Sequence, residues 1–317
     1  MTIQQLQYVI TVVETGSFSK AADECFVTQP TLSAQVRKLE RELGTVLLDR
    51  SRKPVLPTES GRELLARGRE ALRLIRQIPE TIHSREQEIS GRMRVGIIPT
   101  LSQYLLPRFL KPFLAAHPRV RVQVYETLSD RIIDDLRIYK LDVGILSLPT
   151  GASGLEERSL FHEEFVGYFP NGYELSQGVP LPTVLTLGEL RWEEMLLLAE
   201  GHCFRDQAVN ICRRQEMGVG GRLEFETGSL ESLKRLVEQG LGYTLLPELA
   251  VPELAEEFRG NVRRLAEPRP TREIGALVHP GFGKRRLLAA LETAIVDCLP
   301  PKVRANSGSN RVPWRGR

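Results

Sequence analysis

Cysteine is scarce in this sequence: four residues, at positions 25, 203, 212 and 298, in a chain of 317. That is too few for a disulfide scaffold, and cytosolic thiols are normally kept reduced, so any disulfide here is expected to be transient. No run of 18 or more apolar residues occurs, which excludes an ordinary membrane-spanning helix. The opening MTIQQLQYVITVVETGSF lacks the basic region and small-residue cleavage site of a secretory signal. A cytoplasmic protein with no membrane partner is the expectation. Net charge is nearly absent at +3, distributed as +1 over residues 1–90, −3 over 91–300 and +5 over 301–317. Global charge therefore argues only weakly for a nucleic-acid partner, and that case must rest on local arrangement. What is present is an ordinary globular balance, 41% hydrophobic and 26% charged, over a length that suits two or three domains.

The first local arrangement is SFSKAADECFVTQPTLSAQVRKLERELG, residues 17–44. Ser17 suits the N-cap of a short helix in which the small Ala21 and Ala22 let a second helix cross closely. Thr28 caps a longer helix, where Pro30 is tolerated because first-turn amides have no intrahelical partner. Leu32, Val36, Leu39 and Leu43 then recur at spacings of four, three and four and form one apolar face. The other side offers Gln29, Thr31, Ser33, Gln35, Arg37 and Lys38. This is a helix-turn-helix whose polar face suits base edges in a major groove. A plain helical pair with a solvated face fits the same pattern. LLDRSRKPVLPTESG, residues 47–61, reads as a wing with Arg50, Arg52 and Lys53 placed for phosphates. From Thr58 a helical pattern carries Leu65, Leu72, Ile75, Ile78 and Ile82, a stripe for pairing with another helix and hence for a dimer. Pro79 is expected to kink or end that helix.

From Gly91 strands and helices alternate. MRVGIIPT, VRVQVYE and LDVGIL read as strands separated by helical LSQYLLPRFLKPFLAAH and RIIDDLRIYK, an order that implies a parallel sheet. A second set follows: FVGYF, MLLLAE, a helix over 203–216, LEFET, helical SLESLKRLVEQG and YTLLP. IGALVH and helical KRRLLAALETAIVDCL close the pattern. Ligands of such sheets lie at the carboxyl ends of strands, where Thr100, Ser129 and the amides around Gly228 and Ser229 fall. Simple helix capping accounts equally for the hydroxyls.

GHCFRDQAVNIC, residues 201–212, places two thiols nine positions apart on a helix. That is about 13 to 14 Å along the axis and nearly opposite in phase, whereas a disulfide needs Cα atoms within about 7 Å. Either the two never pair, or pairing melts the segment. A thiol in the first turn meets unpaired amides and the positive end of the helix dipole, with His202 and Arg205 beside it, and these favour the nucleophilic thiolate. Peroxide converts such a thiolate to sulfenic acid, which condenses with a second thiol, and Cys212 beside Arg213 and Arg214 is the candidate. Two unrelated cysteines remain the alternative. Cys25 and Cys298 read as core.

The run Phe18 to Arg50, with AADECFVTQPTLSAQVRKLERELG at its centre, resembles the DNA-binding domain of LysR-type transcriptional regulators. The resemblance implies a recognition helix beginning near Gln29, Pro30 and Thr31, with Ser33, Gln35, Arg37 and Lys38 approaching DNA. GHCFRDQAVNIC, with residues 95–107 and 226–252, is similar to the sensor of the hydrogen-peroxide-responsive members of that family. By that resemblance Cys203 is peroxidatic and Cys212 resolving, while Thr100, Ser129, His202, Arg205 and Asp206 shape a peroxide pocket. Those members commonly have Thr-Ser where this chain has Gly228-Ser229, which removes one pocket hydroxyl.

The expected architecture is α/β: a winged helix-turn-helix over 1–60, a linker helix over 61–90, and an effector domain over 91–300 like periplasmic ligand-binding proteins. Its subdomain I covers 91–165 and 270–300, its subdomain II 166–269. The tail 301–317 lacks apolar periodicity and is expected to be disordered. Expected partners are double-stranded promoter DNA, hydrogen peroxide, RNA polymerase and further copies of the chain, as a dimer or tetramer. No cofactor is expected, and His202, Cys203 and Cys212 lack the spacing for a metal on one helix. Two rivals stand beside this reading: a regulator answering a metabolite in the interdomain cleft, and a thiol peroxidase that turns over.

Overall fold

Thr2 opens the first helix with a capping box, accepting from Gln5 N while the Gln5 side chain accepts from Thr2 N. That helix, α1 (Ile3–Thr15), is followed by α2 (Phe18–Glu24) and α3 (Gln29–Leu43). The expected caps are in place: Ser17 accepts from Lys20 N, and Thr28 accepts from Thr31 N with Pro30 in the first turn. Short strands β1 (Leu48–Asp49) and β2 (Leu56–Pro57) pair antiparallel and form the wing, and α4 (Glu59–His83) follows. The helix runs through Pro79 and is described to His83, four residues beyond the proline expected to kink or end it nearby. The computed structural model describes residues 1–83, 89–175, 178–213, 228–305, 308 and 310–314.

Residues 1–87 and 88–317 form two separate units. The core of the first joins Leu6, Val9 and Val12 of α1, Ala21 and Ala22 of α2, Leu32, Val36 and Leu39 of α3, and Leu65 and Leu72 of α4. Each fully buried leucine contributes about 1.5–3 kcal/mol. Farther along α4, Leu74, Ile75 and Ile78 are exposed.

The second unit begins with β3 (Gly91–Ile97), α5 (Pro99–Ala116), β4 (Val120–Glu126), α6 (Ser129–Arg137) and β5 (Val143–Leu148). β3 lies between β4 and β5, parallel to both, as the alternating pattern implies. The 13-residue β6 (Glu156–Tyr168) comes next, then β7 (Glu174–Leu175), β8 (Val179–Pro180), β9 (Val184–Leu185), α7 (Cys203–Arg213), α8 (Leu230–Glu238) and β10 (Thr244–Pro247). The chain continues through α9 (Glu256–Arg259), β11 (Val262–Leu265), β12 (Thr271–Val278), α10 (Arg285–Asp297) and α11 (Pro301–Arg304). β12 is antiparallel to β5 and to β6, so the sheet is mixed rather than all parallel. The first part of β6, through Glu164, pairs with β12; its last residues, from Phe165, pair with β10 and β11.

Two expectations change and one goes untested. MLLLAE is not a strand: Met195 makes an isolated bridge to Tyr243. LEFET and the last residues of the expected 203–216 helix lie outside the described residues. The tail is not wholly disordered: α11 buries Val303, and Val312 and Trp314 are buried in the second unit. Two large apolar side chains anchor it, and so few give no periodicity for sequence reading to detect.

Candidate functional site

On α3, Gln29, Pro30, Thr31, Arg37 and Lys38 are exposed, as a groove-reading face requires. Ser33 departs from expectation. It is buried, and its Oγ accepts from Arg37 Nη2 at 3.2 Å and from Arg50 Nη1 at 3.4 Å. The hydroxyl ties a helix arginine to a wing arginine instead of facing outward. The reason is phase: position 33 sits beside Leu32 and Val36 on the packed side. Gln35 is half-buried and accepts from Gln5 Nε2 at 3.1 Å. Arg50 is further held by Glu40 Oε2 at 2.7 Å and lies over the Phe18 ring. Arg52 and Lys53 project from the exposed wing, Arg52 3.4 Å from Asp49.

The second site gathers where β3, α6 and α7 begin or end. Thr100 lies in the first turn of α5 and Ser129 opens α6; neither serves as a helix cap, since Ile98 and Leu128 hold the cap positions without side-chain bonds. Their hydroxyls are thereby available for other work. Cys203 opens α7 and is 3% exposed. Thr100, Ser129, His202 and Cys203 line one narrow cleft, closed tightly around its centre, with Ile98, Pro99, Leu128 and Phe204 as its apolar wall. Ser129 Oγ is buried without a hydrogen-bond partner among the described residues, an arrangement that favours a polar occupant.

Thr100 is set from behind. Arg272 Nη1 donates to Thr100 Oγ1 at 3.0 Å and Nη2 to Thr100 O at 3.2 Å. With its oxygen accepting from a guanidinium, the hydroxyl keeps its own hydrogen to donate elsewhere. Arg272 is itself fixed by Glu163, whose Oε1 lies 2.8 Å from Nε and 2.6 Å from Nη2, and its guanidinium lies over the Phe204 ring at 5.1 Å. Glu163 Oε2 accepts from Leu249 N. Sequence reading missed this pair. Arg272 and Glu163 lie 109 positions apart, opposite each other on neighbouring strands, and no local pattern marks either as inward-facing.

His202 is buried, and burial holds its imidazole below the ordinary value against the opposing pull of the Asp206 carboxylate. The folded ring therefore favours the neutral form, with one nitrogen donating and the other accepting. Its contribution to stability is fully present above the ordinary value of 6.5 and is lost as pH falls from there towards the folded value. Melting temperature should fall below about pH 6.5 more steeply in the wild type than in His202→Gln. Parallel melting curves between pH 7.5 and 5 for the two proteins would refute the assignment.

Arg205 is half-buried and does not line the cleft; Arg272 is the buried cation next to it. Asp206 also lies off the cleft, its Oδ2 accepting from Trp314 Nε1 at 3.1 Å. Gly228 lies against the His202 ring: a Cβ at that position would be 3.3 Å from His202 Nε2. Cys212 falls in the last turn of α7, and its side chain lies outside the described residues. Cys25 and Cys298 are half-buried, and burial pushes the Cys298 thiol up while its Sγ donates to Ile295 O. Among the described residues no cluster of metal-ligating side chains occurs.

Residues 3–62 match the bacterial regulatory helix-turn-helix proteins of the lysR family, and residues 86–297 match the LysR substrate binding domain. The chain belongs to the LysR family. LysR-family relatives extend over nearly its whole length. It is 35% identical to the DNA-binding transcriptional dual regulator OxyR of Escherichia coli, covering 93% of this chain and 95% of that one. It is 34% identical to the hydrogen peroxide-inducible genes activator of Haemophilus influenzae, covering 94% and 97%. Among solved structures, full-length OxyR of Pseudomonas aeruginosa with a cysteine-to-aspartate substitution superposes with a TM-score of 0.79 at 29% identity, covering 93% and 94%. A hydrogen-peroxide-bound cysteine-to-serine mutant of Corynebacterium glutamicum OxyR gives 0.62 at 27%, covering 94% and 92%.

Proposed function

We propose that this LysR-family regulator senses hydrogen peroxide through Cys203 and answers by forming a Cys203–Cys212 disulfide that changes how it holds promoter DNA. The observation that carries the reading is the cleft at the start of α7. It gathers a thiol, two hydroxyls and a buried imidazole around a tight gap, far smaller than the roughly 300–1,000 Å³ usual for pockets that enclose larger organic ligands. A metabolite of ordinary size does not fit that space; a two-oxygen molecule asks the least movement of the walls.

The Cys203 thiolate attacks one peroxide oxygen, the O–O bond breaks, and the departing oxygen leaves as hydroxide and takes up a proton to become water. Thr100 and Ser129 are positioned to donate to the oxygen on which charge develops, in a site largely closed to bulk water. The sulfenic acid then condenses with Cys212, which requires α7 to unwind. A disulfide that competes with a helix is strained and readily reduced, so the signal resets. The recognition face on α3 and the wing residues Arg52 and Lys53 hold the DNA. The exposed stripe Leu74, Ile75 and Ile78 on α4 suits a dimer, and altered spacing of two recognition helices within such an oligomer carries the signal to DNA and on to RNA polymerase.

The test pairs a non-reducing peptide map with a DNase footprint, each with and without peroxide. A 203–212 linkage together with a lengthened or shifted footprint is expected. A footprint that moves without that linkage would favour a metabolite-responsive regulator, and a footprint that never moves would remove the reading.

A further inference from the structure

The end of the chain is fastened to the sensor helix. Residues 310–314 run beside β12: Thr271 N donates to Asn310 O at 2.9 Å, Val312 N donates to Thr271 O at 2.8 Å, and Arg311 pairs with Glu273. The segment then crosses α7 and receives three side-chain bonds or gives them. Gln207 Nε2 donates to Val312 O at 2.9 Å, Asn210 Nδ2 to Pro313 O at 3.0 Å, and Trp314 Nε1 donates to Asp206 Oδ2 at 3.1 Å. Gln207 and Val312 are fully buried, and Trp314 is 3% exposed. At about 100° per residue, positions 206, 207 and 210 fall on one face of α7, which Cys203 shares; position 212 falls on the other.

We propose that residues 310–314 are a clasp on α7: they stabilise its reduced, helical form and thereby set the rate and the equilibrium of Cys203–Cys212 closure. The proposal rests on the disulfide reading above and adds a positioning role for Trp314, Gln207 and Asn210. Oxidation has two steps with different demands. In the first, sulfur and oxygen join, the peroxide bond breaks and water departs; Cys203 already sits in the cleft, so α7 need not move. In the second, the Cys212 sulfur attacks the Cys203 sulfur, an S–S bond forms, and the sulfenic hydroxyl leaves with the Cys212 proton as water. The helix keeps the two positions about 13–14 Å apart, so this step demands unwinding. Unwinding cannot proceed while residues 206, 207 and 210 remain bound to the tail, because the buried amide of Gln207 and the carbonyl it serves would be left unpaired. The clasp therefore acts on the second step alone.

Two variants test it. Trp314→Phe keeps an aromatic ring in place and removes the indole donor; deletion of residues 310–317 removes the clasp. Sulfenic acid formation, trapped by a dicarbonyl reagent in the Cys212→Ser background, should keep its wild-type rate in both. Disulfide closure, followed by quenched alkylation, should be several-fold faster in Trp314→Phe and about tenfold faster in the deletion. Because the clasp stabilises the dithiol, its loss should shift the glutathione-buffered equilibrium towards the disulfide by about tenfold, near 30 mV more negative. The chain has two tryptophans, so Trp192→Phe isolates the Trp314 emission, which should shift to the red on oxidation as the indole leaves its buried place. Unchanged or slower closure in both variants, or an unchanged Trp314 emission in a protein that has formed its disulfide, overturns the clasp. Absence of any 203–212 linkage in the wild type overturns the disulfide reading itself and the clasp with it.

Discussion

Cys203→Ser is expected to bind promoter DNA as the wild type does and to lose the peroxide-dependent change in footprint entirely. Serine nearly matches the thiol in size, so the cleft, the start of α7 and the helix-turn-helix unit keep their packing, while the hydroxyl has no nucleophilicity towards peroxide at neutral pH. Cys212, left without a sulfenic partner, cannot close the disulfide, and the other two thiols offer no substitute at this place. Cys298 is half-buried with its thiol pushed up by burial, and Cys25 caps the end of α2 in the other unit. Reporter transcription should stay at its unstimulated level over the range of peroxide that stimulates the wild type. A full footprint change in Cys203→Ser would remove Cys203 from the role assigned to it.

The second large effect is structural. Glu163→Ala leaves the Arg272 guanidinium without its anion, and side-chain exposures of 0% and 1% leave no solvent to replace it. Removing one partner of such a buried pair costs about 3–5 kcal/mol, because the surviving charge stays desolvated. At roughly 2–4 °C per kcal/mol for a domain of this size, the melting temperature of the effector unit should fall by about 6–20 °C. Arg235→Ala, which removes the exposed partner of Glu238, provides the contrast and should lower the melting temperature far less. A loss below about 1 kcal/mol in Glu163→Ala would show that water or another side chain replaces the carboxylate. The milder Glu163→Gln keeps a hydrogen-bond acceptor towards Arg272 and so separates lost charge from lost volume.

Where the sequence could be read and where it could not follows from the range of each interaction. Ser17, Thr28 and Pro30 announce helix starts within three residues of themselves, so the helix-turn-helix was legible from local pattern. Thr100, Ser129 and Cys203 were legible for a related reason: each falls where a helix begins, and that is where the cleft forms. Arg272 and Glu163 carry no local mark, since a charged residue in a strand reads as solvent-facing until its partner is known. Ser33 was misplaced because one polar residue between two apolar positions can lie on either margin of a helix face. The anchors Val312 and Trp314 were invisible because their partners on α7 lie more than a hundred positions away.

β6 has a mechanical consequence. One strand of 13 residues carries the ladder to β12 along its first part and the ladders to β10 and β11 along its last. It acts as a keel common to both regions of the effector unit. Two-lobed binding proteins grip a ligand by bending at flexible crossovers. Bending here would shear hydrogen bonds on either flank of a continuous strand. With that keel stiff, the chemical work proposed for Cys203 falls on the secondary structure of α7, and this is the physical reason that a sensor built on such a scaffold would report by refolding a helix instead of closing a jaw.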